Sequence, residues 1–188
     1  MRIAISGKSG CGNTTVSTMV AERLGYPMIN YTFRTMAKER GIDFWEFHRM
    51  AEKDDSIDRE LDERQIALAM AQENCVLGSR LAIWMLEEAD VKIYLTASVE
   101  ERARRIFRRE GGEPGKKLEE TRERDAFDSA RYARIYGIDN NDASRADMVI
   151  DTEGRTPEEV TDIIISYVSR GVTLGAHVHG RDCTKKNR

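Results

Sequence analysis

The sequence predicts an α/β fold, a five-stranded parallel sheet flanked by helices in a single domain. Three observations predict it. Short apolar runs at residues 2–6, 28–30, 74–78, 91–95 and 148–151 alternate with longer stretches of helical spacing, which is the mark of consecutive βαβ units. The chain has 188 residues, 40% of them hydrophobic and only 3 of them proline, enough for one core and too few for two domains of ordinary size. The first apolar run passes through a glycine-rich turn straight into an amphipathic segment, the usual opening of such a sheet.

Each element follows from its residues. Val16, Met19, Val20 and Leu24 lie at i, i+3, i+4 and i+8, an apolar stripe on a helix that Gly25 ends. Two helices are expected over 32–40 and 43–53, with Gly41 as terminator and Asp43 and Glu46 as a capping box. A longer helix over 56–73 has Ile57, Leu61 and Leu68 marking a buried side, while Asp58, Asp62 and Gln65 form a second stripe. As a bare pattern that stripe reads as a solvated face, and a substrate cleft is the other reading. Residues 100–136 are dense in both charges and interrupted by Gly111, Gly112, Pro114 and Gly115. They read as two helices joined by a flexible elbow, either a mobile lid or an exposed hairpin. A last helix over 156–169 starts with Pro157 at N1 and carries Val160, Ile163, Ile164 and Val168 on one side. Beyond Gly171 the periodicity stops, so 171–188 is expected to be a flexible tail.

Composition narrows the partners. Thirty Lys plus Arg against 33 Asp plus Glu leave a net charge of -3, so no global positive field favours duplex nucleic acid. No run approaches the ~18 apolar residues of a membrane span, and the first residues read as strand rather than signal segment, which makes the cytoplasm the expected location. Cys11, Cys75 and Cys183 are too few and too far apart for a disulfide framework. His177, His179 and Cys183 have a zinc-like spacing but no second cluster, so a floppy terminus is favoured over a metal site. Trp45 with Phe44 and Phe47 could stack a base, but Phe44, Phe47 and Ala51 recur at core spacing.

The chemistry starts in Gly7-Lys8-Ser9-Gly10-Cys11-Gly12-Asn13-Thr14-Thr15, which sits between strand and helix as a phosphate-binding loop must. Its glycines let backbone N–H groups converge on phosphate oxygens, and Thr14 stands where a hydroxyl would touch Mg²⁺. One position departs from GxxxxGK[ST], since Asn13 replaces the lysine that brings positive charge to the β and γ phosphates. Lys8 is the only cation inside the loop, either a substitute folding over the phosphates or a solvated surface lysine. Cys11 is either a thiol activated among the amides or simply a small residue.

Four further segments occur in order: Phe33-Arg34-x-Met36-Ala37-Lys38-Glu39-Arg40-Gly41, Ile57-Asp58-x3-Asp62-x-Arg64-Gln65, Arg80-Leu81-Ala82-x-Trp84, and Arg131-Tyr132-x2-Ile135-Tyr136-Gly137-Ile138-Asp139. Together with the loop they resemble the archaeal-type cytidylate kinases over roughly residues 1–170. The resemblance implies a P-loop nucleoside monophosphate kinase-like domain over about 1–170, with a helical NMP-binding region at about 31–73 and a lid at about 108–136. It implies phosphoryl transfer from ATP with Mg²⁺ to CMP or dCMP. Gly7, Lys8, Ser9, Gly10, Cys11, Gly12, Asn13, Thr14 and Thr15 would hold ATP, with Thr14 on the metal. Arg34 and Arg80 would take the acceptor phosphate, because a guanidinium fork matches phosphate oxygens. Asp58 and Asp62, with Gln65, would line the acceptor cleft. Arg124 and Arg131, two helical turns apart, would act on the transferring group, with Lys8 in the missing lysine's place. Ordinary pairing with Glu120, Glu123, Asp125 and Asp128 is the other reading of those two arginines.

A second departure lies in Val76-Leu77-Gly78-Ser79-Arg80, where the family usually has an acidic residue at Gly78 and glycine at Ser79. Both losses fall on the ATP side. The alternative to an active enzyme is therefore a nucleotide-binding pseudokinase or regulatory protein, and a third reading is a kinase for a different small acceptor. Membrane association is not expected, and the oligomeric state is open.

Overall fold

The structure, a computed structural model, describes residues 1–178. In chain order it contains β1 (Arg2–Gly7), α1 (Asn13–Leu24), β2 (Met28–Ile29), α2 (Phe33–Arg40), α3 (Phe44–Ala51), α4 (Asp55–Met70), β3 (Cys75–Gly78) and α5 (Ala82–Met85). Then come β4 (Val91–Thr96), α6 (Val99–Glu110), α7 (Pro114–Tyr136), β5 (Met148–Asp151) and α8 (Pro157–Val178). All five strands are parallel, in the order β2-β3-β1-β4-β5. β1 is central, and Ile3, Ala4 and Ile5 are wholly buried, because both faces of a parallel sheet are covered and its strands read as continuous apolar runs.

One face packs on α1 and α8 through Val16, Val20, Val160, Ile164 and Val168. The other holds Ala69 of α4 and the short α5, with Leu81, Ile83 and Trp84 in the core. Residues 31–61 have a small core of their own around Met36, Phe47, Ile57 and Leu61, which lets that helical region stand beside the sheet rather than on it. The caps follow the sequence. Asp43 Oδ1 accepts from the backbone N–H groups of Trp45 (3.0 Å) and Glu46 (3.2 Å). Thr156 and Glu159 cap each other reciprocally at the start of α8.

Four expectations are corrected. Leu68 lies at the surface, 42% exposed, since α4 is gripped on the side of Ile57, Leu61 and Ala69 instead. The Asp58, Asp62, Gln65 stripe is not a solvated face: Asp58 and Gln65 are buried, because α4 turns that side toward α7 and β2 rather than outward. In α3, Phe47 and Ala51 are core but Phe44 is only half-buried, and Trp45 is exposed with its ring edge-on to Phe44 at 5.1 Å. α8 continues to Val178, past Gly171 where a tail was expected. One glycine costs a helix only about 1 kcal/mol, and no proline follows to stop it. Residues 179–188 lie outside the described residues, and the His177, His179, Cys183 spacing falls beyond the described side chains.

Candidate functional site

A cleft of about 1320 Å³ opens beyond the carboxyl ends of β1 and β3, where ligands bind in open parallel sheets. All nine residues from Gly7 to Thr15 line it. Gly10 has φ 87°, and a Cβ there would meet Arg102 of α6 at 2.8 Å, so only glycine lets α6 press against the loop. Gly12 begins α1 with φ 89° and no side chain caps the helix. The first N–H groups of a helix have no intrahelical partner, and here they meet the cleft, the arrangement that suits a phosphate. Cys11 is buried, and that burial raises its thiol pKa more than Arg102 lowers it; the small-residue reading holds.

Asn13 does not imitate a lysine. Its Nδ2 donates to the Ser79 carbonyl at 3.2 Å, and its Oδ1 accepts from the wholly buried Ser17 hydroxyl at 3.0 Å. The amide therefore ties α1 to the end of β3. The same contact explains Gly78: a Cβ there would meet Ser17 Oγ at 2.5 Å and Met28 Cε at 2.9 Å. Asn13, Ser17 and Gly78 thus form one packed unit. Lys8 lines the cleft and donates from Nζ to Asn141 Oδ1 at 2.5 Å, one of its three N–H groups. Thr14 is exposed on the cleft in the first turn of α1. Among the described residues no three acidic, His or Cys side chains gather to hold a metal.

The opposite wall comes from α4. Asp58 is paired with Arg131, yet burial pushes its carboxyl above the usual range by more than that arginine lowers it. Asp62 is raised to about 6, chiefly by burial, and its Oδ2 accepts from the Tyr136 hydroxyl at 2.6 Å. Gln65 Nε2 donates to the Tyr31 carbonyl at 2.7 Å. Between the walls stand Arg80, paired with Asp128, and Arg124, whose Nη1 donates to Ser9 Oγ at 3.4 Å. Arg105, Arg108 and Arg109 of α6 also line the cleft, so cations collect locally in a chain whose net charge is negative.

The structure thus brings together every site residue expected from sequence except Arg34. That side chain is exposed, stands outside the cleft lining, and lies over the Phe44 ring at 4.4 Å. Arg131 pairs not with the lid carboxylates but with Asp58 across the cleft. Residues that sequence reasoning missed include Arg102, 4% exposed, whose guanidinium holds the Ser9 carbonyl at 3.1 Å and both Asp125 oxygens at 3.0 and 2.5 Å. Arg105 similarly holds Thr152 Oγ1 at 2.9 Å. Both belonged to a charged helix with no motif to single them out.

With this geometry in hand, comparison with known proteins is specific. Residues 2–154 match the model of the cytidylate kinase-like family. A protein named cytidylate kinase 2 from Borreliella afzelii (strain PKo) is 50% identical over 90% of this chain and 97% of its own length. A cytidylate kinase from Methanobrevibacter smithii is 38% identical over 88% of this chain and 97% of its own. Among solved structures, shikimate kinase from Acinetobacter baumannii in complex with shikimate matches with TM-score 0.61 at 18% identity, over 90% of this chain and 93% of its own. Deoxyadenosine kinase from M. mycoides with bound dATP matches with TM-score 0.59 at 18% identity, over 90% and 100%. At those identities the structural likeness speaks for the fold alone.

Proposed function

The chain belongs to the cytidylate kinase-like family, and from that membership we propose that it transfers the γ-phosphoryl group of ATP to CMP or dCMP. Phosphoryl transfer to a nucleoside monophosphate comes with the family; the cytosine acceptor is our own reading. The observation that carries it is the cleft itself, with an uncapped glycine loop on one wall, the carboxylates of α4 on the other, and Arg80, Arg124 and Arg131 between them.

In this reading the loop and the start of α1 bind the ATP phosphates, and Thr14 contributes its hydroxyl to Mg²⁺. A metal held there by Thr14 would supply neutralisation of phosphate charge. Arg80 exchanges Asp128 for the acceptor phosphate, and Arg34 swings from Phe44 to join it. Arg131 exchanges Asp58 for the transferring group, which also leaves Asp58 free for the acceptor. Arg124 approaches from the same helix, and Lys8, with two N–H groups unspent on Asn141, approaches from the loop. CMP is expected to bind more tightly than AMP in titration calorimetry; equal affinities would count against the acceptor assignment.

A second reading is supported by the packing of Asn13 and Gly78, which removes both a cation and a carboxylate from the ATP side. It keeps nucleotide binding and drops turnover, a pseudokinase. Coupled ADP production over a panel of nucleoside monophosphates tests both: turnover best with CMP or dCMP supports the first, binding without turnover the second.

The elbow between α6 and α7 is proposed as the hinge of a lid. Gly111 and Gly112 both have positive φ, and 111–116 is exposed on every residue. Limited proteolysis is expected to cut there in the free protein and to slow with saturating CMP and ATP. Unchanged cleavage would remove the lid.

A further inference from the structure

We infer that Tyr136, at the last turn of α7, is a positioning residue that holds the Asp62 carboxylate as an acceptor-only group and thereby makes the acceptor site select cytosine over uracil. The inference rests on the acceptor reading of the cleft and goes beyond it by assigning how the base is chosen.

The geometry is specific. Tyr136 lies outside the cleft lining, whereas Asp62 is part of it. The Tyr136 hydroxyl donates to Asp62 Oδ2 at 2.6 Å, which occupies one carboxylate oxygen and leaves Oδ1 for a ligand. An ionised carboxylate can only accept hydrogen bonds. Cytosine offers it an amino donor at position 4; uracil offers an oxygen there, which an ionised Asp62 repels and a protonated one can hydrogen-bond. Selection between the two bases therefore follows the protonation state of Asp62.

Two influences oppose each other at that carboxylate. Burial pushes it up to about 6, and the neighbouring Asp58 adds to the rise; the Tyr136 hydroxyl, and more weakly Arg131, hold it down. Tyr132 of α7 faces the same space and is itself raised to about 12 by burial, with Asp62 and Asp128 adding to the rise and Arg80 opposing it. Tyr136 is likewise raised, by burial and by its bond to Asp62, so it keeps its proton throughout the range in which Asp62 titrates. The hydroxyl is thus a permanent donor, and it favours the ionised form.

Neighbouring contacts fix the tyrosine. Arg134 Nη2 donates to Asp55 Oδ1 at 2.5 Å, and Arg59 Nη2 donates to the Ile135 carbonyl at 2.9 Å. These two contacts pin the end of α7 along α4 and deliver Tyr136 to Asp62 in register.

The test is titration calorimetry of the full chain with CMP and with UMP between pH 5.5 and 8. The ratio of the two affinities cancels the titration of the phosphate, which both ligands share. In the wild type the ratio is expected to rise with pH as Asp62 ionises. Tyr136→Phe removes a hydrogen bond to the charged form, which moves the Asp62 midpoint up by about one unit. If CMP takes the ionised form and UMP the protonated one, that shift is an approximately tenfold fall in the CMP to UMP ratio at a given pH. Asp62→Asn, which presents donor and acceptor at all pH values, is expected to make the ratio independent of pH. Circular dichroism shows that each variant is folded, and the Asp62→Asn profile carries the test should Tyr136→Phe fail to fold. CMP binding with an unchanged ratio in folded Tyr136→Phe, or an unchanged pH profile in Asp62→Asn, overturns the inference and leaves the acceptor reading standing. Absence of CMP binding in the wild type overturns both.

Discussion

Lys8→Ala is expected to lower turnover by about 10² or more while CMP affinity changes little, the signature of an interaction made mainly in the transition state. The loop offers no other cation, and a positive group at the transferring phosphoryl is worth several powers of ten because the charge there spreads over three oxygens in a loose transition state. Lys8 lines the cleft with one N–H group given to Asn141, so it is expected to reach bound phosphates by turning its side chain rather than by rebuilding the loop. Asn13→Lys in the Lys8→Ala background is expected to restore part of the rate, since a longer stem passes the Ser79 carbonyl that the amide now holds. Steady-state kinetics with CMP check both variants. Unchanged turnover in Lys8→Ala would transfer the role to Arg124, Arg131 or another chain. If the wild type is inert and Asn13→Lys alone creates activity, the pseudokinase reading replaces the enzyme reading.

The second large effect concerns stability. Asp125→Ala is expected to cost about 3–5 kcal/mol, because it strands the Arg102 guanidinium without its counter-charge. The Arg102 side chain is 5% exposed and that of Asp125 16%, so the guanidinium has little water within reach to replace the lost bonds. Arg102 also holds the Ser9 carbonyl, so the phosphate loop is expected to loosen with it. Asp128→Ala is the internal control: its partner Arg80 is 40% exposed and can hydrate, so the cost should be smaller. Urea unfolding midpoints measure both. Equal costs would show that the Arg102 to Asp125 pair is no more buried in energetic terms than its neighbour.

Much of the fold was legible because its causes are local. The five strands are apolar runs bounded by turn residues, and helix starts at Asp43 and Pro157 follow from capping chemistry within three residues. What was illegible depends on partners far along the chain. α5 has four residues, less than two turns, so no periodicity can announce it; it is held by burial of Ala82, Ile83 and Trp84 and by the Ile83 N–H donating to Ser6 Oγ at 3.1 Å. The α4 carboxylates looked like a solvated face since nothing local reveals that Arg131 and Tyr136, more than seventy residues on, lie against them. Arg34 was placed at the acceptor phosphate by its motif, but its outward stacking on Phe44 is a tertiary contact that no spacing encodes.

The packing of Asn13, Ser17 and Gly78 bears on how this loop can evolve. Removing the Ser17 hydroxyl leaves Asn13 Oδ1 without its donor, and any side chain at 78 strikes Ser17 first. A side chain at position 78 therefore cannot be accommodated by one substitution alone, since Ser17 and Met28 must both give way. Substitutions at 13, 17 and 78 are expected to be strongly non-additive, because each position is held by the other two through sterics and one hydrogen bond.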